Sequence, residues 1–279
     1  MAGWVLLFDV GNTTMKMGVA PVRAQAGKAL AASFALPTDL RHTADSLGLA
    51  LAAACAHAGV AVRGGDGAAC GNDGVAACVA ASVVPAMERP LRDACAKYFG
   101  QKLLLAPGDI PIPLANRYER PGEVGADRLV TAYAAHALHP APAHIVVDFG
   151  TATTFDCVRD GAYLGGLICP GVLSSAGALA SQTAKLPQVN LAIDPGELAI
   201  GRSTADSLNQ GLVYGFAAMT EGLCARLKAK LGGDVRVVGT GGLAARIAPV
   251  APVLDTVVPD LLLEGLFLLY KAQQHGTSV

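Results

Sequence analysis

Two short stretches combine a carboxylate, a glycine and hydroxyls at spacings that could handle a phosphate group, and a third sets a carboxylate and a guanidinium behind a glycine. The first is Asp9-Val10-Gly11-Asn12-Thr13-Thr14-Met15-Lys16, in which a carboxylate precedes a glycine turn, an amide, two hydroxyls and a lysine. Gly11 lets backbone N–H groups approach a ligand closely, and concave clusters of such groups bind anions. A carboxylate beside them suits a hydrated divalent cation. The second, Asp148-Phe149-Gly150-Thr151-Ala152-Thr153-Thr154, has the same Asp-x-Gly turn and hydroxyl cluster. The third, Gly125-Ala126-Asp127-Arg128, places a carboxylate and a guanidinium where an apolar helical run begins. Phosphoryl transfer asks a protein for positioning, charge neutralisation and a group that orients the attacking hydroxyl. Taken singly, each stretch has a plain alternative: a strand closed by a polar turn for Asp9 and Asp148, a helix cap for Asp127.

The elements that position these residues can be read from the flanking pattern. Val5 to Phe8 is an apolar strand that drives into Asp9, turns at Gly11-Asn12 and returns as Met15 to Val19, a hairpin. Half a chain later Ile145 to Val147 does the same before Asp148. Strands Phe155 to Arg159 and Ala162 to Ile168 follow, joined by an Asp160-Gly161 turn. Recurrence of the motif after a strand, before a strand and half a chain apart is the imprint of a duplicated domain.

Between the hairpins, Ala24 to Leu36 is weakly patterned and Thr38 to His57 has helical spacing. Arg63 to Gly74 reads as a surface loop, Ala76 to Val84 as a buried strand, Pro85 to about Phe99 as a helix and Lys102 to Ala106 as a strand. That succession argues for an α/β domain. Prolines 107, 111, 113 and 121 mark a crossing between halves expected at residues 1–116 and 117–279. The second half holds a helix from Leu129 to about Leu138, a Ser/Ala-rich helix after Gly171 and a proline-bounded loop from Leu186 to Pro195. A long helix from Thr204 to about Lys230 and a strand from Val235 to Val238 come next. An amphipathic helix from Pro259 to about Gln274 closes the chain and could pack back on the first half. Gly239-Thr-Gly-Gly-Leu-Ala244 fits a dinucleotide fingerprint, but too little chain follows to build that domain. It reads as a glycine turn between strand and helix.

Composition narrows the function classes. With 52% hydrophobic and 15% charged residues over 279, the chain is expected to fold around a sizeable core. A net charge of −1 with scattered Lys and Arg is not the basic footprint of a nucleic-acid binder. Seven cysteines without a C-x-x-C pair point to buried reduced thiols in the cytoplasm. The six histidines lack zinc-ligand spacing. The opening apolar run stops at Asp9, too early for a signal peptide, and Leu261 to Tyr270 is too short to span a bilayer. A cytoplasmic protein with no nucleic-acid or membrane partner is the expectation.

Two phosphate-type hairpins heading α/β halves suggest an inter-domain nucleotide cleft, and here the chain resembles the sugar kinase, Hsp70 and actin superfamily. Five motifs in order, Asp9 to Lys16, Gly125 to Arg128, Asp148 to Thr154, Gly165-Gly-x-x-x-Pro-Gly171 and Ser203-Thr-x-x-Ser207, resemble the type III pantothenate kinase family over nearly the whole chain. The resemblance implies an α/β fold of duplicated ribonuclease H-like, actin-like ATPase domains. It implies phosphorylation of pantothenate to 4'-phosphopantothenate by ATP, the first step of coenzyme A biosynthesis. It assigns Asp9, Val10, Gly11, Asn12, Thr13, Thr14, Met15, Lys16 and Thr151 to ATP, which would carry Mg2+. Asp148 goes to a monovalent cation, K+ or NH4+. Tyr118, Gly125, Ala126, Asp127, Arg128 and Thr204 go to pantothenate, with Asp127 as catalytic proton acceptor, and a homodimer is implied.

Another small-molecule kinase of the superfamily, or a non-enzymatic transcriptional accessory factor, are the alternatives. A helix start favours an ionised carboxylate, so Asp127 is expected to have a lowered pKa. Thr204 could instead cap its helix, and hairpin alternation leaves open whether Lys16 meets a phosphate or water.

Overall fold

The computed structural model describes residues 3–61, 74–182, 191 and 197–276. The sequence-predicted loops at 63–74 and 186–195 lie almost wholly outside these residues, as does Cys70. The chain divides into two compact units. One comprises the chain up to Pro113, Gly122–Ala134 and the stretch from Leu262 onward; the other comprises Leu114–Pro121 and Ala135–Leu261.

The first unit is built on a five-stranded sheet of β1 (Trp4–Val10), β2 (Thr14–Pro21), β3 (Ala32–Pro37), β4 (Val75–Ser82) and β5 (Leu103–Ala106), in the order β3-β2-β1-β4-β5. β1 is apolar on both faces because both are covered. Leu6, Phe8 and Val10 pack with Leu47, Leu51 and Cys55 of α1 (Ala44–His57) and with Met87 and Leu91 of α2 (Pro85–Ala94). A π-helical turn, Cys95–Phe99, continues α2. Val5 and Leu7 face the other way, onto Val130 of α3 (Ala126–Leu138) and Leu263, Leu266 and Phe267 of α7 (Leu261–Gly276). Each such side chain contributes about 1.5–3 kcal/mol on full burial, so the central strand is held firmly from both sides.

Three local expectations change. The weakly patterned stretch from Ala24 contains β3, an edge strand whose residues alternate between half-buried and exposed, which leaves only a faint apolar signal. The helix read from Thr38 begins at Ala44, where Thr43 and Ser46 form a capping box. The closing helix is not amphipathic in its first part: from Leu261 to Tyr270 every residue but Leu268 is buried.

The second unit carries β6 (Ala115–Asn116), β7 (Ala143–Phe149), β8 (Ala152–Arg159), β9 (Ala162–Pro170), β10 (Val235–Thr240) and β11 (Thr256–Val257), in the order β11-β10-β7-β8-β9-β6. Its core lies between Ile145, Val147, Phe149 and Phe155 of the sheet and Val172 of α4 (Val172–Gln182), Val213 and Ala217 of α5 (Thr204–Leu231) and Ile247 of α6 (Ala244–Ile247). The β8–β9 turn is Asp160-Gly161 with both φ positive, the handedness a tight hairpin requires.

The two sheets share a topology. β1 pairs antiparallel with β2 and parallel with β4, as β7 pairs antiparallel with β8 and parallel with β10. Asp9 and Asp148 occupy the same place, one residue before the end of a seven-residue strand.

Among the described residues, all six cysteines are free thiols, and burial pushes Cys55 and Cys224 up to about 12. No helix among them is long and apolar enough to cross a membrane.

Candidate active site

Asp9 is half-buried because β1 carries it out of the core, and its cross-strand partner on β2 is Lys16. Opposite charges facing each other across a ladder stabilise the pair and place a cation beside the turn. The turn itself is braced through its carbonyls. Val83 N–H donates to Val10 O (3.1 Å), Thr38 Oγ1 to Gly11 O (2.6 Å), Thr38 N–H to Thr13 O (3.0 Å) and Gly11 N–H to Thr14 O (3.2 Å). These bonds occupy the carbonyls of Val10, Gly11, Thr13 and Thr14, and Asn12, Thr13 and Thr14 are exposed. Thr38, which the sequence pattern put inside a helix, is thus part of the turn's frame.

Val83 also connects this turn to the third motif. A methyl group at Gly125 would sit 3.2 Å from Val83 Cγ1 and would run into the Asp127 carboxylate, so only glycine leaves that carboxylate its place. Gly125 O accepts Leu129 N–H (3.3 Å), the first bond of α3, and Asp127 Oδ1 accepts Arg128 N–H (2.8 Å). Asp127 therefore lies within the first turn of α3, with Gly125 in the cap position, and its pKa moves opposite to the sequence-based expectation. Burial raises the Asp127 pKa, and this outweighs the lowering by the Arg128 N–H and guanidinium. A carboxylate whose pKa is raised by desolvation is a candidate acid–base group.

In the second unit Asp148 lies between two threonines, Thr154 on β8 and Thr240 on β10, each its direct partner in register. Where the first hairpin sets a lysine across from its carboxylate, the second sets hydroxyls. Thr154 Oγ1 donates to Asp156 Oδ2 (3.2 Å) and Thr240 Oγ1 to Pro259 O (3.3 Å); hard oxygens of this kind beside a carboxylate are the donors a hard cation takes. Among the described residues no group of three or more His, Cys, Asp or Glu is arranged to hold a metal ion, so the fit rests on mixed oxygen donors.

The glycine turn after β10 closes on the same place. Gly241, at φ +92, comes so near that a side chain there would run into the Asp148 carboxylate and lie 2.8 Å from the Phe149 backbone. That close approach is the physical reason for the glycines that mimic a dinucleotide fingerprint. Val10 faces Met15 whereas Phe149 faces Thr153, so the second turn is one residue shorter, and it exposes Thr151 at its tip. Ser174 Oγ of α4 donates to Thr151 O (2.7 Å), a support that the sequence pattern did not single out. Thr153 is buried in the strand and Thr154 half-buried.

Of the remaining candidates, Tyr118 is half-buried next to β9, and Thr204 is exposed at the first position of α5. Ser203, not Thr204, caps that helix, its Oγ accepting Asp206 N–H at 3.1 Å. Asp9 to Lys16 and Gly125 to Arg128 belong to one unit, while Tyr118, Asp148, Thr151 and Thr204 belong to the other.

Comparison with known proteins adds the following. A model of the family described as type III pantothenate kinase matches residues 5–226. A type III pantothenate kinase of Nitratidesulfovibrio vulgaris (strain Miyazaki F) is 58% identical over 266 residues, covering 95% of this chain and 96% of its own. One from Moorella thermoacetica is 40% identical, covering 96% and 98%. Among solved structures, a Campylobacter jejuni protein assigned to the Baf family of transcriptional activators aligns with a TM-score of 0.58 at 17% identity, over 97% of this chain and 99% of that one. A ROK family glucokinase from Streptomyces griseus aligns with a TM-score of 0.51 at 15% identity, over 96% and 99%. At these identities the two structures speak for the fold, a duplicated ribonuclease H-like, actin-like ATPase architecture.

Proposed function

The chain belongs to the type III pantothenate kinase family, and we propose that the residues assembled above carry out its ATP-dependent phosphorylation of pantothenate in coenzyme A biosynthesis. The observation that carries the assignment is the Asp127 carboxylate, desolvated at the start of α3 and linked through Val83 to the braced Asp9 turn.

In this reading Asp9 to Lys16 holds the phosphates of ATP. Lys16 neutralises charge, Asp9 would hold the accompanying Mg2+, and Asn12, Thr13 and Thr14 bond phosphate oxygens. The Mg2+ ion, when bound, would neutralise charge on the phosphates. Thr151 touches the nucleotide, and Asp148 with Thr154 and Thr240 would hold K+ or NH4+. Asp127 orients the primary hydroxyl of pantothenate and takes its proton as the phosphoryl group transfers. Arg128 offers a planar fork to a carboxylate or to the developing phosphate. Gly125, Ala126, Tyr118 and Thr204 complete the pantothenate contacts, and the enzyme works as a cytoplasmic homodimer. The free thiols among the described cysteines suit a reducing compartment.

The test is ADP production on adding pantothenate, with and without potassium, for the wild type and for Asp127→Asn. Wild-type turnover should depend on both additions. Asp127→Asn should fold normally and lose on the order of 100-fold or more in kcat. Near wild-type kcat in that variant would leave Asp127 with a structural role only, in the first turn of α3. Turnover on a sugar but not on pantothenate would overturn the substrate assignment.

A further inference from the structure

Tyr118 follows a two-residue strand in an otherwise irregular segment, yet its surroundings are built with unusual care. β6 pairs with β9 through Ala115 and Asn116, and the ladder runs on as Arg117 N–H donates to Tyr163 O (2.8 Å). Asn116 then turns the chain: its Oδ1 accepts Tyr118 N–H (3.0 Å) and its Nδ2 donates to Pro121 O (3.2 Å). The backbone of Tyr118 is thereby fixed from both sides of the residue.

The ring is fixed as well. It lies over Gly165 of β9, where a methyl group would stand 3.2 Å from both Cδ2 and Cε2. Gly165 also has φ +115, a conformation strained for any other residue. Next to it the ring of Tyr163 stands 6.2 Å away, centroid to centroid, tilted by 43°. Tyr163 is wholly buried, and its hydroxyl donates to Asp156 Oδ1 (2.8 Å). Asp156, itself only 1% exposed, also accepts Thr154 Oγ1 (3.2 Å). A buried carboxylate is costly unless its oxygens are bonded, and here the bonds lock the Tyr163 ring in one orientation. The pantothenate site so far described makes no use of Asn116, Tyr163, Asp156 or Gly165.

We infer that Asn116, Gly165 and the Tyr163–Asp156 pair are positioning residues that hold the Tyr118 ring in the orientation in which it receives pantothenate. The inference rests on the reading that Tyr118 touches that substrate. A half-exposed side chain on irregular backbone would otherwise lose rotamer freedom on each binding event, and pre-organisation removes that cost. Gly165 sets how deep the ring lies, Asn116 sets where its backbone stands, and Tyr163 limits its tilt.

The experiment is steady-state kinetics with ATP and pantothenate varied separately. Gly165→Ala and Asn116→Ala should each raise the KM for pantothenate roughly tenfold, with the KM for ATP nearly unchanged. Tyr163→Phe, which keeps the ring and loses the Asp156 bond, should shift it in the same direction by less. The decisive arm is the double variant. Once Tyr118→Ala has removed the ring, adding Gly165→Ala or Asn116→Ala should change nothing further. If the single effects multiply, or if the KM for ATP rises in parallel, the positioning role is refuted while Tyr118 keeps its contact. If Tyr118→Ala alone leaves the KM for pantothenate untouched, the contact itself is refuted, and the positioning role with it. Should Gly165→Ala not fold, the Asn116 cycle decides between the same outcomes.

Discussion

A carboxylate that takes a hydroxyl proton during phosphoryl transfer works in its ionised form, so the reaction rate follows its titration. Asp127 combines a raised pKa from burial with opposing contributions from Arg128. Below its pKa the carboxylate is protonated and cannot accept, so kcat/KM should fall as pH is lowered through a value above that of an ordinary aspartate. Arg128→Ala removes a lowering influence, so the acid limb should move to higher pH, whereas Arg128→Lys should leave it closer to wild type. A pH–rate profile of the three proteins checks this. An acid limb that stays fixed while activity drops would make Arg128 a substrate contact without influence on the base. The sequence shows Asp127 at a helix start, which argues for a lowered pKa. It does not show that the helix start is buried, and burial decides the sign. Thr38 escaped notice for a related reason: a hydroxyl that braces a turn 27 residues away leaves no local pattern.

At the scale of elements, the closing helix shows how a single charged residue can mislead. Glu264 breaks the apolar run of α7 and suggests a wet face, yet it is only 5% exposed and accepts Gly27 N–H (2.9 Å) and Ala29 N–H (2.8 Å). It pins the segment after β2 to the helix. Gly265 lets α7 approach α3 so closely that a methyl group would sit 2.8 Å from Val130 O. Replacing Glu264 by Ala orphans two backbone donors, at about 1–3 kcal/mol for each that stays buried. Glu264→Ala should therefore lower the denaturant midpoint of the first unit clearly, and Glu264→Gln, which keeps one acceptor oxygen, should lower it less. Trp4, the one tryptophan of the chain, lies in β1 and reports on that unit by fluorescence. An unchanged midpoint in both variants would mean that the bonds to Gly27 and Ala29 contribute nothing net. Strands buried on both faces, such as β1, β4 and β7, were legible as continuous apolar runs. The edge strand β3 was not, because its half-exposed residues carry little hydrophobic pattern.

For the whole molecule, duplication is the feature most visible in the sequence, and the matched pairing of β1, β2 and β4 with β7, β8 and β10 gives it physical form. The copies have diverged in what they expose. Of the eight large hydrophobic side chains exposed among the described residues, Leu40 and Leu49 are in the first unit. The other six, Leu164, Ile168, Leu173, Leu179, Leu198 and Ile200, are in the second. Large apolar side chains left in water are what a partner's surface covers. In the proposed homodimer that partner is a second copy. Leu198 and Ile200, 67% and 92% exposed, have almost no burial to lose within one chain. Changing both to Asp should therefore cost the isolated fold little, within about 0.5 kcal/mol per site. In a dimer that covers them, the same change buries two unpaired carboxylates and should drive dissociation. Sedimentation equilibrium should find twice 28.2 kDa for the wild type and a mass near 28.2 kDa for the double variant, with unchanged circular dichroism. A double variant that remains a dimer would move the interface elsewhere on the unit, and a monomeric wild type would remove the homodimer from the mechanism.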